Sequence, residues 1–371
     1  MNLFSRHPRS KEIPINVMVL GFPESGKTVL LTTMYHQLSI PGSAGFYLHA
    51  KDDSKHNELM GLYKQIADPK ERFPDPTISN IIEWEFSGLI KSVGMHYNPL
   101  KFTYSDYSGE LAKNLLKKDY TALETQFANR LKDADVVLSI LDGQKILNLM
   151  KGATKGDFYA QLQMMLNIMT TREKPVHFIL TKWDLLCGKY QLEEIIEQLE
   201  NFDPFRNFLA SHTALSKLRL IPVSSVGTKF VREENGTMQK ITDATAEICP
   251  FQAEMPIACI LPDLIEARNK RRQQAWIVRV FRFFLSKVSF SVSIGVLSAS
   301  IDHPFDNRDT TSKKLEEHKL PGIQTIRNKK DALKYVYWFF AIIVDILEFD
   351  FPASNITRHK NITRLKKGYL P

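Results

Sequence analysis

Cysteine is scarce: Cys187, Cys249 and Cys259 are the only three in a chain of 371 residues. An odd, sparse set without ligand-like spacing argues against a disulfide framework or a cysteine metal cluster. It reads as reduced thiols serving as small buried apolar residues. Long apolar runs are lacking too. The longest, Tyr335 to Leu347, is shorter than the roughly 20 residues that span a bilayer, and Asp345 interrupts it. A second stretch, Phe281 to Val296, is broken by Arg282, Lys287 and several serines. Neither is read as transmembrane. No apolar segment of the signal-peptide kind precedes the first strand, so the expected setting is cytoplasmic. Asn235, Asn355 and Asn361 each open an N-x-T triplet, which has no meaning in that setting. Internal repeats and low-complexity tracts are absent from the sequence. Acidic residues are in deficit: the formal charge is +8 and the pI near 9.1. That balance suits an anionic partner such as a lipid surface or nucleic acid.

What is present is an alternation of buried strands and helices. Residues 1–12 form a polar, basic lead-in. Ile13 to Leu20 reads as a buried strand, followed by a glycine-rich turn and a helix from Lys27 to about Leu38. Residues 39–76 hold several prolines among helical pieces such as Asn57 to Ala67, and read as an insertion with partial helix. Ile81 to Phe86 and Lys101 to Tyr104 look like a strand pair, and Leu111 to Leu131 like a helix. Val136 to Leu141 and Pro175 to Leu180 are nearly unbroken apolar runs, the mark of strands buried on both faces. Helices are expected at Phe158 to Met169 and Leu192 to Leu199, and a last core strand at Leu218 to Val223. Glu234-Asn235-Gly236 marks a hairpin turn in a second insertion near 228–250. A helix from Ile257 to about Arg268 closes the domain. The expected architecture is α/β: a mostly parallel sheet with helices on both faces over residues 13–267, then a basic, mainly helical extension over 268–371. Ligands of such sheets bind at the carboxyl ends of the strands.

Two motifs stand at such ends. Gly21-Phe22-Pro23-Glu24-Ser25-Gly26-Lys27-Thr28 fits G-x-x-x-x-G-K-[ST] between a strand and a helix, the context that gives the motif meaning. Gly21 and Gly26 allow backbone geometry that other residues resist. N–H groups from Glu24, Ser25, Gly26, Lys27 and Thr28 can then converge on phosphates, reinforced by the helix N-terminus. Pro23 has no N–H to offer. Lys27 is placed to bridge the outer phosphates, and Thr28 to offer its hydroxyl to Mg²⁺. Further on, Asp106-Tyr107-Ser108-Gly109 ends a strand; Asp106 can hold Mg²⁺ and the Gly109 N–H can meet a terminal phosphate.

Thr181-Lys182-Trp183-Asp184 ends the strand Val176 to Leu180. Guanine presents two donors, N1–H and the 2-amino group, and the Asp184 carboxylate can accept both. Adenine offers an acceptor at N1 and no 2-amino group. The aliphatic stem of Lys182 can lie over the ring. After the last strand, Ser224 and Ser225 could bring a backbone N–H, most directly that of Ser225, to guanine O6.

In combination and in order, these motifs resemble those of the Ras-like and translation-factor-like P-loop GTPases over about residues 15–230. The resemblance implies GTP or GDP and Mg²⁺ as ligands. It also implies that Thr77, in Asp75-Pro76-Thr77-Ile78, closes on Mg²⁺ and the terminal phosphate in the triphosphate state. The catalytic set it implies is Lys27, Gly109 and the residue after Gly109. That residue is Glu110, where Ras-like proteins carry a Gln that orients water, which points to slow hydrolysis. The segment between Thr28 and Thr77 is longer than in small GTPases, and Ser225-Val226 stands where Ala-Lys is usual. The long insertion and the C-terminal region loosely resemble the larger GTPases of prokaryotic conflict and signalling systems.

In the extension, Arg268, Lys270, Arg271, Arg272, Arg279, Arg282 and Lys287 follow one another with no acid between them. A packed helix with a solvated basic edge, an interfacial membrane helix, and a partner or nucleic-acid surface all suit this pattern, nucleic acid least. Residues 357–371 read as a mobile basic tail. The expected function is a slow GTP-driven switch that engages a protein partner or itself in the GTP state. A non-hydrolysing GTP-bound scaffold is the alternative, and an ATP-using enzyme is disfavoured by Asp184.

Overall fold

The computed structural model describes residues 12–41, 45–75, 81–92, 94–107, 122–153, 156–170, 174–212, 218–234, 237–242, 246–265, 267, 326–349 and 362–364. In chain order the elements are β1 (Ile13–Leu20), α1 (Lys27–Leu38), β2 (Phe46–Ala50), α2 (Asp53–Ala67), β3 (Ile81–Ser92), β4 (Met95–Tyr107) and α3 (Ala122–Asp133). Then come β5 (Val136–Leu141), α4 (Gly143–Met150), α5 (Gly156–Thr170), β6 (Val176–Leu180), α6 (Leu192–Glu200), α7 (Asp203–His212) and β7 (Leu218–Pro222). The hairpin β8 (Val231–Glu234) and β9 (Thr237–Lys240), the short helix α8 (Met255–Ala258), α9 (Lys329–Phe349) and β10 (Ile362–Arg364) follow among the described residues.

Eight strands form one sheet in the order β10-β7-β6-β5-β1-β4-β3-β2. From β10 to β4 every neighbour is parallel, and β3 runs antiparallel to both β4 and β2. The central strands are buried on both sides, and their alternate residues feed two cores. Val17 and Val19 of β1 join α1 and α9 on one face, while Met18 and Leu20 join α5 and α6 on the other. This matches the mostly parallel α/β sheet expected from the sequence.

Several elements differ from that reading. The segment read as an insertion, 39–76, contains β2, which pairs with β3 and forms one edge of the sheet. The strand pair is longer than expected, because β3 and β4 continue into a hairpin. The helices α4 and α7 were not anticipated. Of the stretch read as helix from Leu111 to Leu131, residues before 122 lie outside the described ones, and α3 covers the rest.

Part of the C-terminal extension is built into the domain. Ala332, Leu333, Val336 and Phe340 of α9 are buried on one helical stripe in the core shared with α1 and β1. The Phe340 ring meets Phe46 of β2 edge to face at 4.9 Å, and the Tyr97 hydroxyl donates to the Ile326 carbonyl at 3.3 Å. The segment read as a mobile basic tail supplies β10, parallel to β7. The basic stretch 268–287 lies outside the described residues. Among those described, no helix is long and apolar enough to cross a membrane.

A buried charge cluster locks the chain after α8 onto the sheet. Arg219 of β7 donates from Nη2 to Asp263 Oδ1 at 2.5 Å, and His177 of β6 lies 2.8 Å from Asp263 Oδ2, all three side chains fully buried. Removing one partner from such a group costs about 3–5 kcal/mol, because a charge is left stranded in low dielectric.

Candidate functional site

Strand register brings the site together. Leu141 of β5 lies beside Leu180 of β6, and Leu180 beside Pro222 of β7. On the other side Val19 of β1 pairs with Asp106 of β4. The turn after β1, Asp106, and the loops after β5, β6 and β7 therefore share one edge of the sheet, the carboxyl edge where α/β sheets bind ligands.

The turn after β1 is a cradle made of backbone. Gly26 sits at φ +86°, a left-handed conformation that side chains resist, and it opens α1. Glu24 is also left-handed, at φ +64°. The Ser25 N–H closes onto the Phe22 carbonyl at 3.3 Å. Lys27 is buried, and its ammonium donates to the Gly21 and Phe22 carbonyls at 3.0 and 3.1 Å. Burial pulls its pKa below the ordinary lysine range, and the negative charge of Asp106 opposes that shift. Thr28 stands in the first turn of α1, and Asp106 is buried at the end of β4. Hydroxyl and carboxylate oxygens are the donors that Mg²⁺ takes. Thr77, Gly109 and Glu110 lie outside the described residues.

The other end of the site is made of side chains. The Thr181 hydroxyl lies 2.7 Å from the Ser25 carbonyl oxygen and 3.1 Å from that of Leu141. It ties the loop after β6 to the cradle. Lys182 adopts a left-handed backbone, φ 51° and ψ 38°, and Trp183 is fully buried behind it. Asp184 is partly exposed as a residue, yet its Oδ2 is sealed from solvent with no hydrogen-bond partner among the described residues. Its Oδ1 accepts from the Ser224 hydroxyl, and the Ser224 Oγ accepts from the Gly227 N–H at 2.9 Å. Burial raises the Asp184 pKa, countered by the Ser224 hydrogen bond, its own N–H and the charge of Lys182. An orphan carboxylate oxygen costs about 1–3 kcal/mol unless a donor meets it. The site thus suits a ligand bearing N–H donors, as guanine does.

The structure therefore brings Glu24, Ser25, Gly26, Lys27, Thr28, Asp106, Thr181, Lys182, Asp184, Ser224 and Ser225 to one edge. Ser224 orients Asp184 through its hydroxyl, and Thr181 serves the cradle. Sequence reasoning passed over Asp142. Its Oδ1 lies 2.9 Å from the Lys182 ammonium and accepts from the Gln144 N–H at 3.0 Å, capping α4. The available signal was its place, directly after the buried strand β5.

A third small cluster joins the two ends. Ile66 of α2, Val226 and Phe230 pack with Val29 of α1 and Phe73. The Lys240 ammonium donates to the Gln65 and Asp68 carbonyls at 2.8 and 2.9 Å and lies 4.7 Å over the Phe73 ring. The β8–β9 hairpin thus reaches from the loop after β7 to the chain leading toward Thr77.

A mostly parallel sheet with this cradle after β1 and this carboxylate loop after β6 defines a P-loop GTPase, a GTP-binding protein. The sequence pattern of the Double-GTPase 2 family matches residues 15–227, more than half of the chain, and the chain belongs to that family. Among solved structures, the Arl6 BBS3 small GTPase of Trypanosoma brucei, holding the nucleotide analogue GppNp, is 15% identical with a TM-score of 0.29. That match covers 57% of this chain and 87% of that one. The GTP-bound Ski7 GTPase-like domain of S. cerevisiae is 14% identical with a TM-score of 0.37, covering 64% and 48%. The elongation factor SelB of Methanococcus maripaludis, with the GTP analogue GppNHp, is 15% identical with a TM-score of 0.30, covering 58% and 31%. No curated protein matches the chain.

Proposed function

We propose that the chain is a guanine-nucleotide switch that binds GTP and GDP with Mg²⁺, hydrolyses GTP slowly, and engages a protein partner or a second copy of itself in the GTP state. The observation that carries the reading is Asp184, whose Oδ1 is held by the Ser224 hydroxyl and whose buried Oδ2 has no hydrogen-bond partner among the described residues, at the edge that also holds the glycine-rich turn. One carboxylate so placed accepts the two donors of guanine and rejects adenine. Lys27 would give up its two carbonyl partners for the outer phosphates, while the Ser225 N–H would meet the base. Thr28, Asp106 and Thr77 would hold Mg²⁺, which supplies charge neutralisation at phosphate oxygens. Ordering of the segments around Thr77 and Gly109 by the terminal phosphate is the switch. The setting we propose is cytoplasmic, with the basic stretch 268–287 available to an anionic membrane surface.

Slow turnover follows from Glu110. An ordinary carboxylate is a weak base near neutral pH, and its charge opposes that of the phosphate. The same residue favours a second reading, a GTP-bound scaffold that scarcely turns over. Single-turnover hydrolysis, with and without a cell extract, separates the two, because a switch accelerates with its partner. Glu110→Gln should hold or raise the basal rate at unchanged GTP affinity. A drop by orders of magnitude would mean that Glu110 is a tuned general base, and slow hydrolysis would then be the wrong reading.

A further inference from the structure

Lys182 is the residue whose conformation needs explaining. A left-handed backbone at a residue with a side chain is strained and persists only where the surroundings enforce it. Two neighbours in sequence, Asp142 and Gly143, supply the enforcement from a different loop. The Asp142 carboxylate grips the lysine ammonium at 2.9 Å in a largely enclosed pair, with 9% and 20% of the two side chains exposed. That carboxylate does not drift, because the same oxygen caps α4 by accepting the Gln144 N–H at 3.0 Å, at the helix's positive end. Gly143 then lets the two backbones touch. A Cβ at residue 143 would fall well inside contact distance of the Thr181 carbonyl oxygen and 2.9 Å from that of Lys182. The start of α4 is therefore pressed against the carbonyls that frame Lys182 and, two residues on, Asp184.

We infer that Asp142 is a positioning residue for base recognition: with Gly143 it clamps Lys182 in its left-handed conformation and so holds the Thr181–Asp184 loop ready for the purine. The inference rests on the guanine reading of Asp184. A plain surface ion pair would be mobile and worth little. This one is anchored at a helix terminus, partly enclosed, and backed by a backbone contact that only glycine permits. Such an arrangement stores order in the loop before any ligand arrives, which lowers the cost of binding.

Asp142 has two roles that substitution can part. Asn is as good a helix cap as Asp but carries no charge. Asp142→Asn should therefore keep α4 capped while releasing Lys182. The measurement is equilibrium binding of fluorescently labelled GDP, with unlabelled ADP as competitor, alongside the melting temperature of the nucleotide-free protein. Wild type should prefer GDP. Asp142→Asn should bind GDP about tenfold more weakly, the order of one charged hydrogen bond, with an unchanged melting temperature. Asp142→Glu should recover part of the loss, and Asp142→Ala should lose both affinity and stability. Unchanged GDP affinity in Asp142→Asn, or a loss that merely tracks a lowered melting temperature, overturns the clamp. Equal competition by ADP in wild type instead sinks the guanine reading itself, whatever Asp142 does.

Discussion

The two ends of the site are built in opposite ways. The proposed phosphate end is a run of backbone, Gly21 to Thr28, whose shape is set by left-handed Glu24 and Gly26 and the start of α1, with Lys27 folded onto the Gly21 and Phe22 carbonyls. The proposed base end is a meeting of side chains from separate loops: Asp142 after β5, Thr181 to Asp184 after β6, and Ser224 after β7. A cradle of contiguous residues survives the loss of distant contacts. An assembled site does not, since each loop holds the next. Substitutions at the phosphate end should thus act on the ligand directly, and those at the base end through their neighbours.

The largest effect should come from Lys27→Ala. Two charge-assisted hydrogen bonds to phosphate, at about 1.5–3 kcal/mol each, predict a loss of GTP affinity of a hundredfold or more. The fold should stand, because the side chain points into the cradle and not into the core. Calorimetric titration with GTP, paired with circular dichroism, tests this; undiminished affinity in a folded variant would remove Lys27 from the phosphate site. Next is Asp184→Asn. Leaving guanine donors unmet costs roughly 1–3 kcal/mol per group, so GTP should weaken by about ten- to a hundredfold. Xanthosine nucleotide should gain, since its C2 oxygen can accept from the new amide. If competition binding shows no such exchange of preference, Asp184 does not read the base.

The smallest effect is one of pH, and it separates the two ends most sharply. Burial raises the Asp184 pKa in the nucleotide-free protein, and in the function proposed above guanine is met by the ionised form. GDP affinity should therefore be full above that raised value and fall as pH drops through it, starting above the ordinary carboxylate range near 4. The contribution of the same group to folding has the opposite sign. Ionising it in the fold is costly, so the nucleotide-free protein gains stability from this residue on acidification. The weakened GDP binding of Asp184→Asn, which has no carboxylate to protonate, should lack that acid limb. A limb that remains would assign it to another group.

Of the fold, the parts legible in the sequence were those with a strong local signal. Val136 to Leu141 and Val176 to Leu180 read as buried strands because both faces are apolar. The five residues of β2 did not, since a short strand among prolines and glycines has no period to detect. The helix α4 was missed for the same reason: it has eight residues and begins on a glycine. The role of α9 could not be assigned, because an apolar stripe shows that a helix packs but not on what.

The sequence by itself determined the glycine-rich turn Gly21 to Thr28 and the loop Thr181 to Asp184, the two pieces on which the proposed nucleotide site rests. Their chemistry lies within eight and four contiguous residues, where spacing along the chain equals placement in space. The tertiary structure alone decided what holds Asp184 and Lys182 in place. Asp142 and Lys182 are 40 residues apart in number, and Ser224 lies as far again from Asp184. Only the parallel register of β5, β6 and β7 sets their loops side by side. Which face of a strand's neighbour a loop meets is settled by long-range pairing, which no local pattern encodes.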